Sequence, residues 1–279
     1  MARVSVIMGI YNCSDTIDQA IGSILSQSYT DFEIIMCDDC STDDTYEKAL
    51  KISQNHSNIV LLKNEKNMGL NYTLNRCLKE ASGEYIARMD GDDISLDTRF
   101  EKQVEFLDNN PEYSFVGTPM FYFDEQGVFG CGVGDREPKR EDFVHGSQFS
   151  HATMMVKAEA YRAVNGYSVE DKLLRVEDWH LWIKMYAAGF KGYILRQPFY
   201  KMRDDRNAIK RRRFRFRINE AKLIIFAVNE LKLSPFKKIY ALRPIILGLM
   251  PTFIYKALHK KRLSNNINTT EGNGVCEKP

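Results

Sequence analysis

Asp90, Asp92 and Asp93 lie within four residues of one another in the stretch RMDGDDISLD. Three neighbouring carboxylates repel one another, so the arrangement is costly unless a cation lies among them. A small number of hard oxygen ligands suits Mg²⁺ or Mn²⁺ whose coordination is completed by the phosphates of a substrate. An acidic turn or helix cap is the plainer explanation, because aspartate is common in both. The stretch therefore predicts either a metal–phosphate site or an acidic cap.

Three other ion-binding or phosphate-binding patterns do not fit the residues. An EF-hand loop that began at Asp90 would have Ile94 at its fifth position and Ser95 at its sixth, where glycine is required. Neither G-x-G-x-x-G nor G-x-x-x-x-G-K-[ST] occurs in the chain. A dinucleotide fold or a P-loop is therefore not expected, and phosphate would be met through a metal.

A second group of acids stands between two cysteines in IIMCDDCSTDDT. Cys37 and Cys40 have the C-x-x-C spacing of redox sites and zinc knuckles, but no second C-x-x-C and no thioredoxin-like context accompany them. We therefore expect the carboxylates of this stretch, rather than the thiols, to be the functional groups. A chain of 279 residues does not need disulfides, so its six cysteines are expected to be reduced and its location cytoplasmic.

Both acidic stretches follow strand-like segments. Apolar, β-branched runs alternate with helical patterns, which predicts a parallel sheet covered by helices on both faces, with ligands at the carboxyl ends of the strands. The predicted strands are 4–10, 32–37, 59–63, 84–89 and 113–123, and the predicted helices are 16–28, 44–55, 69–81, 96–109 and 179–188. A loop or hairpin is expected over residues 124–137.

Five segments, in this order, resemble the family 2 glycosyltransferases: VSVIMGIYN, CDDCSTDDT, NMGLNYTLN, GEYIARMDGDD and VEDWHLWIKM. The resemblance covers about residues 3–205. It implies the GT-A fold, an α/β domain with a Rossmann-like mixed sheet flanked by helices, a nucleotide-binding N-terminal half and an acceptor-binding C-terminal half. The implied activity moves a sugar from a nucleotide-sugar, with a UDP-sugar expected, to a lipid-linked or saccharide acceptor in capsule, O-antigen or exopolysaccharide synthesis.

The resemblance gives nucleotide-binding roles to residues of the N-terminal half. Tyr11 matches the aromatic residue that stacks on the base, and Asp38 matches the carboxylate that hydrogen-bonds it. Asn67 and Gly69 match the loop that lets the backbone approach the nucleotide. Without the resemblance, Tyr11 would be interpreted as a core or interface tyrosine.

Asp90-Gly91-Asp92 matches the D-x-D motif of the family. Asp92 is expected to ligate the Mg²⁺ or Mn²⁺ that bridges the diphosphate, and Asp90 is expected near the ribose or the metal, with Asp93 assisting either. Arg203 matches an arginine that often neighbours the diphosphate. The family frequently has histidine two positions later, where this chain has Asp205, which puts in doubt the usual closure of that loop over the donor.

Glu177-Asp178 resembles the E-D pair of the family, in which the aspartate is the general base. An acceptor hydroxyl must lose its proton as it attacks, so Asp178 is expected to accept it while Glu177 orients the donor sugar, and a single base predicts inversion at the anomeric carbon. Two acids before a helix also simply stabilise the helix dipole. His151 matches a position near the acceptor site, although a lone histidine is more often structural.

Charge is distributed unevenly along the chain. The net charge is −12 over residues 1–195, +15 over residues 196–262 and −1 over residues 263–279. The basic block points to a polyanion, either nucleic acid or an anionic membrane surface, or to a solvated helical face. Its apolar part, residues 244–255, would span about 18 Å as a helix, short of a bilayer core of roughly 30 Å. It is expected to lie on a membrane, to pack on the domain or to form an oligomer interface.

The sequence therefore predicts a GT-A domain over residues 1–205, a basic helical extension over 206–262 that associates with the inner face of the membrane, and a disordered tail over 263–279. The expected enzyme is metal-dependent, with a nucleotide-sugar donor and a polyprenyl-diphosphate-linked or saccharide acceptor. Two alternatives stay open: a nucleic-acid-binding protein that uses KRRRFRFR, and a catalytically silent scaffold. The acidic body argues against nucleic acid.

Overall fold

The structure is a computed structural model that describes residues 2–204 and 214–249. The strands of these residues are β1 (Val4–Ile10), β2 (Phe32–Asp38), β3 (Ile59–Lys63), β4 (Tyr85–Asp90), β5 (Ile94–Ser95), β6 (Phe115–Gly117), β7 (Phe121–Asp124), β8 (Gly127–Cys131), β9 (Met155–Lys157), β10 (Gly192–Ile194) and β11 (Tyr200–Arg203). The helices are α1 (Ile17–Leu25), α2 (Thr45–Ser53), α3 (Leu70–Glu80), α4 (Arg99–Asn109), α5 (Ala158–Ala163), α6 (Glu177–Ala187), α7 (Phe214–Glu230) and α8 (Leu242–Leu249).

The main sheet has seven strands in the order β10-β6-β9-β4-β1-β2-β3. β1 to β4 run parallel, as the sequence pattern predicts, and β10 runs parallel to β6. β9 runs antiparallel to both β4 and β6, so the sheet is mixed. The α/β architecture that the resemblance implied is therefore present, with helices on both faces of a mixed sheet.

Alternate residues of β1 enter two different cores because successive strand side chains point to opposite faces. Val6 and Met8 pack with α1, α2 and α4 on one face, whereas Ile7 packs with α3, α5, α6 and α7 on the other. The second core is rich in aromatic rings, and Phe115 stacks on Trp182 with their ring centroids 5.4 Å apart. Full burial of a side chain of this size stabilises the fold by about 2 to 3 kcal/mol.

The predicted strand 113–123 is divided in the structure. β6 belongs to the main sheet, whereas β7 belongs to a second sheet of order β5-β11-β7-β8. Pro119 stands between the two strands and cannot donate to a ladder, which explains the break. The predicted hairpin over 124–137 is present as the antiparallel pair β7–β8. The second sheet matters for the site because β11 brings Arg203 beside the acids that follow β4.

The described part of the basic extension packs on the domain. Leu223, Ile224, Ala227 and Val228 of α7 are buried in the aromatic core, and α8 packs against α7. Within residues 2–204 and 214–249, no helix is long and apolar enough to cross a membrane. The predicted tail 263–279, and the parts 206–213 and 250–262 of the predicted extension, lie outside the described residues.

Four cysteines are free thiols: Cys13, Cys37, Cys40 and Cys77.

Candidate functional site

The strand register brings the two acidic stretches to one edge of the main sheet. Asp38 at the end of β2 pairs with Ile10 of β1, and Asp90 at the end of β4 pairs with Gly9 of β1. Neighbouring strands are about 4.8 Å apart, so β1 alone separates the two acids. The carboxyl edge of the sheet therefore carries both groups, as the sequence pattern predicts.

A cavity of about 390 Å³ opens at this edge between the loops that follow β1 and β4. Its lining includes Tyr11, Asp90, Asp92 and Arg203, and we call it the Tyr11 cavity. Tyr11 is 48% exposed, which leaves its ring available for contact with a ligand. Four residues that the sequence proposed for donor binding thus meet at one opening, although they come from three separate parts of the chain.

The three acids after β4 differ in their contacts. The buried guanidinium of Arg88 donates a hydrogen bond to the Asp90 carboxylate and forms an ion pair with it. The Asp93 carboxylate accepts a hydrogen bond from the Tyr200 hydroxyl at 2.9 Å and another from the Arg203 backbone N–H at 2.8 Å. Asp92 lines the cavity, and its carbonyl oxygen accepts a bond from Arg203 Nε at 3.1 Å. Asp93 therefore fastens β11 to the acidic loop, whereas the side chain of Asp92 faces the opening.

The acids disfavour one another's charged forms. Burial and the charge of Asp90 raise the pKa of Asp92, and burial together with Asp90 and Asp92 raises the pKa of Asp93 to about 8. Among the described residues, no three candidate ligands lie close enough to hold a metal by themselves. Two carboxylates beside an open cavity do fit Mg²⁺ or Mn²⁺, which commonly binds one or two protein carboxylates and takes its other ligands from phosphate and water.

Gly91 lies between the two cavity-lining acids, at a point where the loop after β4 passes very close to the loop after β1. A Cβ atom at this position would lie 2.8 Å from the Sγ atom of Cys13. A larger residue would therefore push the acidic loop away from the loop that follows β1. The glycine of this D-x-D motif keeps the two walls of the Tyr11 cavity together.

Asp38 and Asp39 have different surroundings. Asp39 is buried, and its carboxylate accepts hydrogen bonds from Asn64 Nδ2 at 2.7 Å and from the backbone N–H groups of Met68 at 2.7 Å and Gly69 at 2.8 Å. It therefore fixes the loop that ends at Gly69. Asp38 is fully buried, and its Oδ1 accepts no hydrogen bond within residues 2–204 and 214–249. Asp38 does not line the Tyr11 cavity, so the structure does not bring it together with Tyr11 at that opening.

The loop from β3 to α3 contains the two other predicted nucleotide contacts. Asn67 is exposed and does not line the Tyr11 cavity. Gly69 has φ +85°, a conformation that glycine adopts without strain, and it immediately precedes α3. It shares a small cavity of about 120 Å³ with Glu177, so the fold brings these two predicted residues together from distant parts of the chain.

Cys40 occupies a strained position. It has φ +63°, in the left-handed region that glycine adopts more readily than any other residue. Nearby, hydrogen bonds tie the loops after β1 and β2 together: Asp43 accepts bonds from Thr45 and Ser14. Although burial opposes it, these bonds lower the pKa of Asp43 to about 2.

Glu177 and Asp178 form the first turn of α6, where acids complement the helix dipole. Asp178 Oδ2 accepts a hydrogen bond from Ser147 Oγ at 3.0 Å, and Glu177 Oε2 is buried without a partner in the described part of the chain. Burial and the charge of Glu177 raise the pKa of Asp178 to about 6. Both the helix-cap explanation and a chemical role remain compatible with this geometry, but the raised pKa is what a base working near neutral pH requires.

A polar cavity of about 450 Å³ is lined in part by Ser147, the residue that bonds Asp178, and we call it the Ser147 cavity; Asp178 itself is not part of the lining. Its lining includes Thr118, Arg136, Ser147 and Gln148. His151 lies close by, but its Nε2 bonds the Tyr167 hydroxyl at 2.7 Å, and burial and the charge of Arg88 hold the pKa of His151 well below its ordinary value. The histidine is therefore neutral and already partnered in this structure.

A cavity larger than these, about 650 Å³, lies between α3 and α5. None of the residues that the sequence proposed for the site lines it. Size alone therefore does not identify the site.

Sequence reasoning missed Arg88, Asp39, Ser147 and Tyr200. Arg88 had a usable signal, because an arginine inside an apolar strand is rarely buried without a charged partner. Asp39 had none, since its neighbour Asp38 is the same residue type. The partners Ser147 and Tyr200 lie 31 and 107 positions away from the acids that they contact, so only the folded chain identifies them.

Comparison with known proteins identifies the relatives of this chain. The family model described as glycosyl transferase family 2 matches residues 5–162. EpsE of Bacillus subtilis (strain 168), which has a provisional glycosyltransferase name, is 44% identical over 94% of this chain and 95% of its own length. WfaP of Escherichia coli, named a UDP-Glc:α-D-GlcNAc-diphosphoundecaprenol β-1,3-glucosyltransferase, is 32% identical over 69% of this chain and 73% of its own length.

A solved structure has the same fold. TarS of S. aureus (residues 1–349), crystallised in complex with UDP, aligns with a TM-score of 0.66 and 19% identity over 88% of this chain and 70% of the TarS chain. The alignment shows the GT-A fold that the sequence resemblance implied.

Replacing Cys40 tests whether the turn stores strain. Cys40→Gly is expected to raise the free energy of unfolding above that of Cys40→Ala by about 1 kcal/mol, because only the alanine keeps a Cβ in the left-handed region. Urea denaturation of both variants measures the difference. Equal midpoints would show that the turn is unstrained.

Replacing Asp39 tests its role as a loop anchor. Asp39→Asn should lower the free energy of unfolding by about 1 to 3 kcal/mol, because an amide offers one acceptor oxygen to three buried donors. Asp44→Asn, at an exposed acid of the same loop, is the matched control and should be nearly neutral. Denaturant unfolding decides the point, and equal losses in the two variants would remove the anchoring role.

Proposed function

The chain belongs to glycosyl transferase family 2, and we propose that it transfers a hexose from a UDP-sugar to a lipid-linked saccharide, with inversion at the anomeric carbon. The observation that carries the proposal is the Tyr11 cavity, where an exposed aromatic ring, two carboxylates and Arg203 surround one opening at the carboxyl edge of the sheet. A nucleoside diphosphate presents a base, a ribose and two charged phosphates to such a set of groups.

The choice of donor and acceptor rests on a relative. WfaP, by its name, uses UDP-Glc and an α-D-GlcNAc-diphosphoundecaprenol acceptor and makes a β-1,3 linkage. Because glucose is α-linked in UDP-Glc, a β product requires inversion. We infer the same reaction class here, with the sugar itself left open, in the synthesis of a cell-surface polysaccharide such as capsule, O-antigen or exopolysaccharide.

Base recognition is assigned to Tyr11 and Asp38. The Tyr11 ring offers a stacking surface, and Asp38 Oδ1 offers a buried acceptor that has no partner in the described residues. Uracil has an N–H donor that would satisfy this oxygen if nucleotide binding opened the loop after β2, because Asp38 lies outside the lining of the Tyr11 cavity. The backbone at Asn67 and Gly69 would border the nucleotide, and the Gly69 N–H donates a hydrogen bond to the Asp39 carboxylate, which holds this loop in place.

The diphosphate is assigned to Asp92, Asp90 and Arg203. Asp92, with Asp90 beside it, would hold Mg²⁺ or Mn²⁺, and a divalent cation there stabilises the charge that grows on the leaving diphosphate. Arg88 keeps Asp90 oriented from inside the sheet, and Asp93 keeps Arg203 at the cavity through its backbone N–H. The guanidinium of Arg203 can then pair with phosphate.

Asp178 is assigned the role of general base. The proton of the acceptor hydroxyl passes to its carboxylate as the hydroxyl oxygen attacks the anomeric carbon, and Ser147 orients the carboxylate through its hydrogen bond. Glu177 Oε2, buried and unpartnered in the described structure, would accept a hydroxyl of the donor sugar. The acceptor would enter by the Ser147 cavity, with His151 supporting its wall. Because the acceptor is lipid-linked, the enzyme would work as a peripheral protein at the inner face of the membrane.

A nucleotide-sugar panel with Mg²⁺, Mn²⁺ or EDTA tests the proposal, with nucleotide release and product linkage as readouts. Turnover should require a UDP-sugar, a divalent cation and a diphosphate-linked acceptor. Asp92→Asn should lower kcat/KM at least about 100-fold because it removes the cation's carboxylate, while Asp44→Asn should not change it. Nucleotide binding without turnover of any donor would favour a silent scaffold instead.

The pH dependence tests the base. A carboxylate acts as a base only when ionised, so kcat/KM should fall about tenfold per pH unit below about pH 6. Ser147 lowers the pKa of Asp178, so Ser147→Ala should move this acidic limb to higher pH. Asp178→Asn should lose about 10²- to 10⁴-fold in rate. Wild-type transfer rates in Asp178→Asn would rule out this residue as the base.

A further inference from the structure

The residues before the end of the described chain form an exposed apolar surface. Its five members are Phe236, Ile239, Leu242, Ile246 and Leu249, and we call them the 236–249 surface. Their side chains are 89%, 67%, 57%, 60% and 71% exposed, respectively. Isolated exposed apolar residues are ordinary on a protein surface, but five within fourteen positions of one segment are not.

The spacing places these side chains together. Leu242, Ile246 and Leu249 are four and three residues apart on α8, so they share one face of the helix. Phe236 and Ile239 are three apart in a 3-10 turn over Pro235–Ala241, and residues at this spacing eclipse one another. The opposite side of the segment is already used, since Pro244 and Ala241 are buried and Gly248 lies close to Phe214 of α7.

The positive charge of the same segment indicates what the 236–249 surface would bind. Residues 231–249 contain Lys232, Lys237, Lys238 and Arg243 and no acidic residue. Apolar side chains bordered by cations suit the interface of an anionic bilayer. The apolar side chains enter the boundary between headgroups and acyl chains, and the cations stay near the headgroups. Because no described helix can span a membrane, such contact would be made from one side.

The surface is joined to the loop that carries Ser147. The Tyr240 ring packs against His145 with centroids 4.8 Å apart, and the Arg243 guanidinium donates a hydrogen bond to the His145 carbonyl at 3.1 Å. Two residues later, Ser147 bonds Asp178. The surface and the proposed base are thus connected through the three consecutive residues 145–147.

We propose that the 236–249 surface docks the enzyme on an anionic lipid bilayer and sets the Ser147 cavity against it, so that a membrane-borne acceptor reaches Asp178. The proposal deepens the proposed function and rests on it for the identity of the acceptor. The docking itself rests only on exposure, spacing and charge.

Vesicle flotation of the full-length chain tests the docking. Wild type should float with vesicles of equal phosphatidylglycerol and phosphatidylcholine, and binding should fall in high salt or with pure phosphatidylcholine. The double variant Ile239→Asp/Ile246→Asp should bind at least tenfold more weakly, and Lys237→Ala/Lys238→Ala about tenfold more weakly at low salt. Val60→Asp, at an exposed apolar residue of β3, is the matched control and should bind as wild type does.

Turnover separates docking from chemistry. With a short-chain, water-soluble GlcNAc-diphosphate acceptor, Ile239→Asp/Ile246→Asp should match wild type, which also shows that the variant is folded. With the polyprenyl acceptor in vesicles, it should be at least tenfold slower. If neither wild type nor any variant transfers sugar, but each binds vesicles as expected, the proposed function fails and the docking stands.

Three results would overturn the docking: no flotation of wild type, equal flotation of wild type and Ile239→Asp/Ile246→Asp, or a vesicle-free dimer that this double variant dissociates. The last result would assign the surface to a second copy of the chain.

Discussion

Repulsion and dehydration among the carboxyl groups of Asp90, Asp92 and Asp93 must be offset by the rest of the site. Arg88 supplies a buried positive charge to Asp90, and Tyr200 and the Arg203 backbone supply hydrogen bonds to Asp93. These contacts leave Asp92 as the acid that faces the cavity with a raised pKa. A loop stabilised in this way would suit the cation and the phosphates of the proposed function.

The supporting contacts come from elements that also hold the fold together. Arg99 of α4 is buried, donates a hydrogen bond to the Arg88 carbonyl at 2.9 Å and lies over the Tyr200 ring at 4.9 Å. The acidic loop, α4 and β11 are therefore linked through one cluster of cations and aromatic rings. On the neighbouring strand, Asp39 plays a comparable part for the loop that ends at Gly69. Both of these loops are therefore held in place by buried charged side chains.

The surroundings of Asp178, on the proposed acceptor side, differ from those of the acidic loop. Asp178 is half-buried at the start of a helix, and its pKa is raised by burial and by Glu177 rather than by a cluster of acids. Ser147 and the loop before it connect this carboxylate to the basic C-terminal segment through His145. The same loop thereby contacts the proposed base on one side and the exposed apolar surface on the other.

Local sequence determined the first four strands, the helices that separate them and the loops on which Tyr11, Asp38 and Asp92 stand, because periodicity and strand ends are properties of short segments. The ordered motifs also determined the family. Tertiary structure alone decided the antiparallel β9, the division at Pro119, the separate tasks of Asp38 and Asp39, and the partners Arg88, Tyr200 and Ser147. These features depend on contacts between residues up to 110 positions apart, and no local pattern specifies which distant side chain will meet a buried carboxylate.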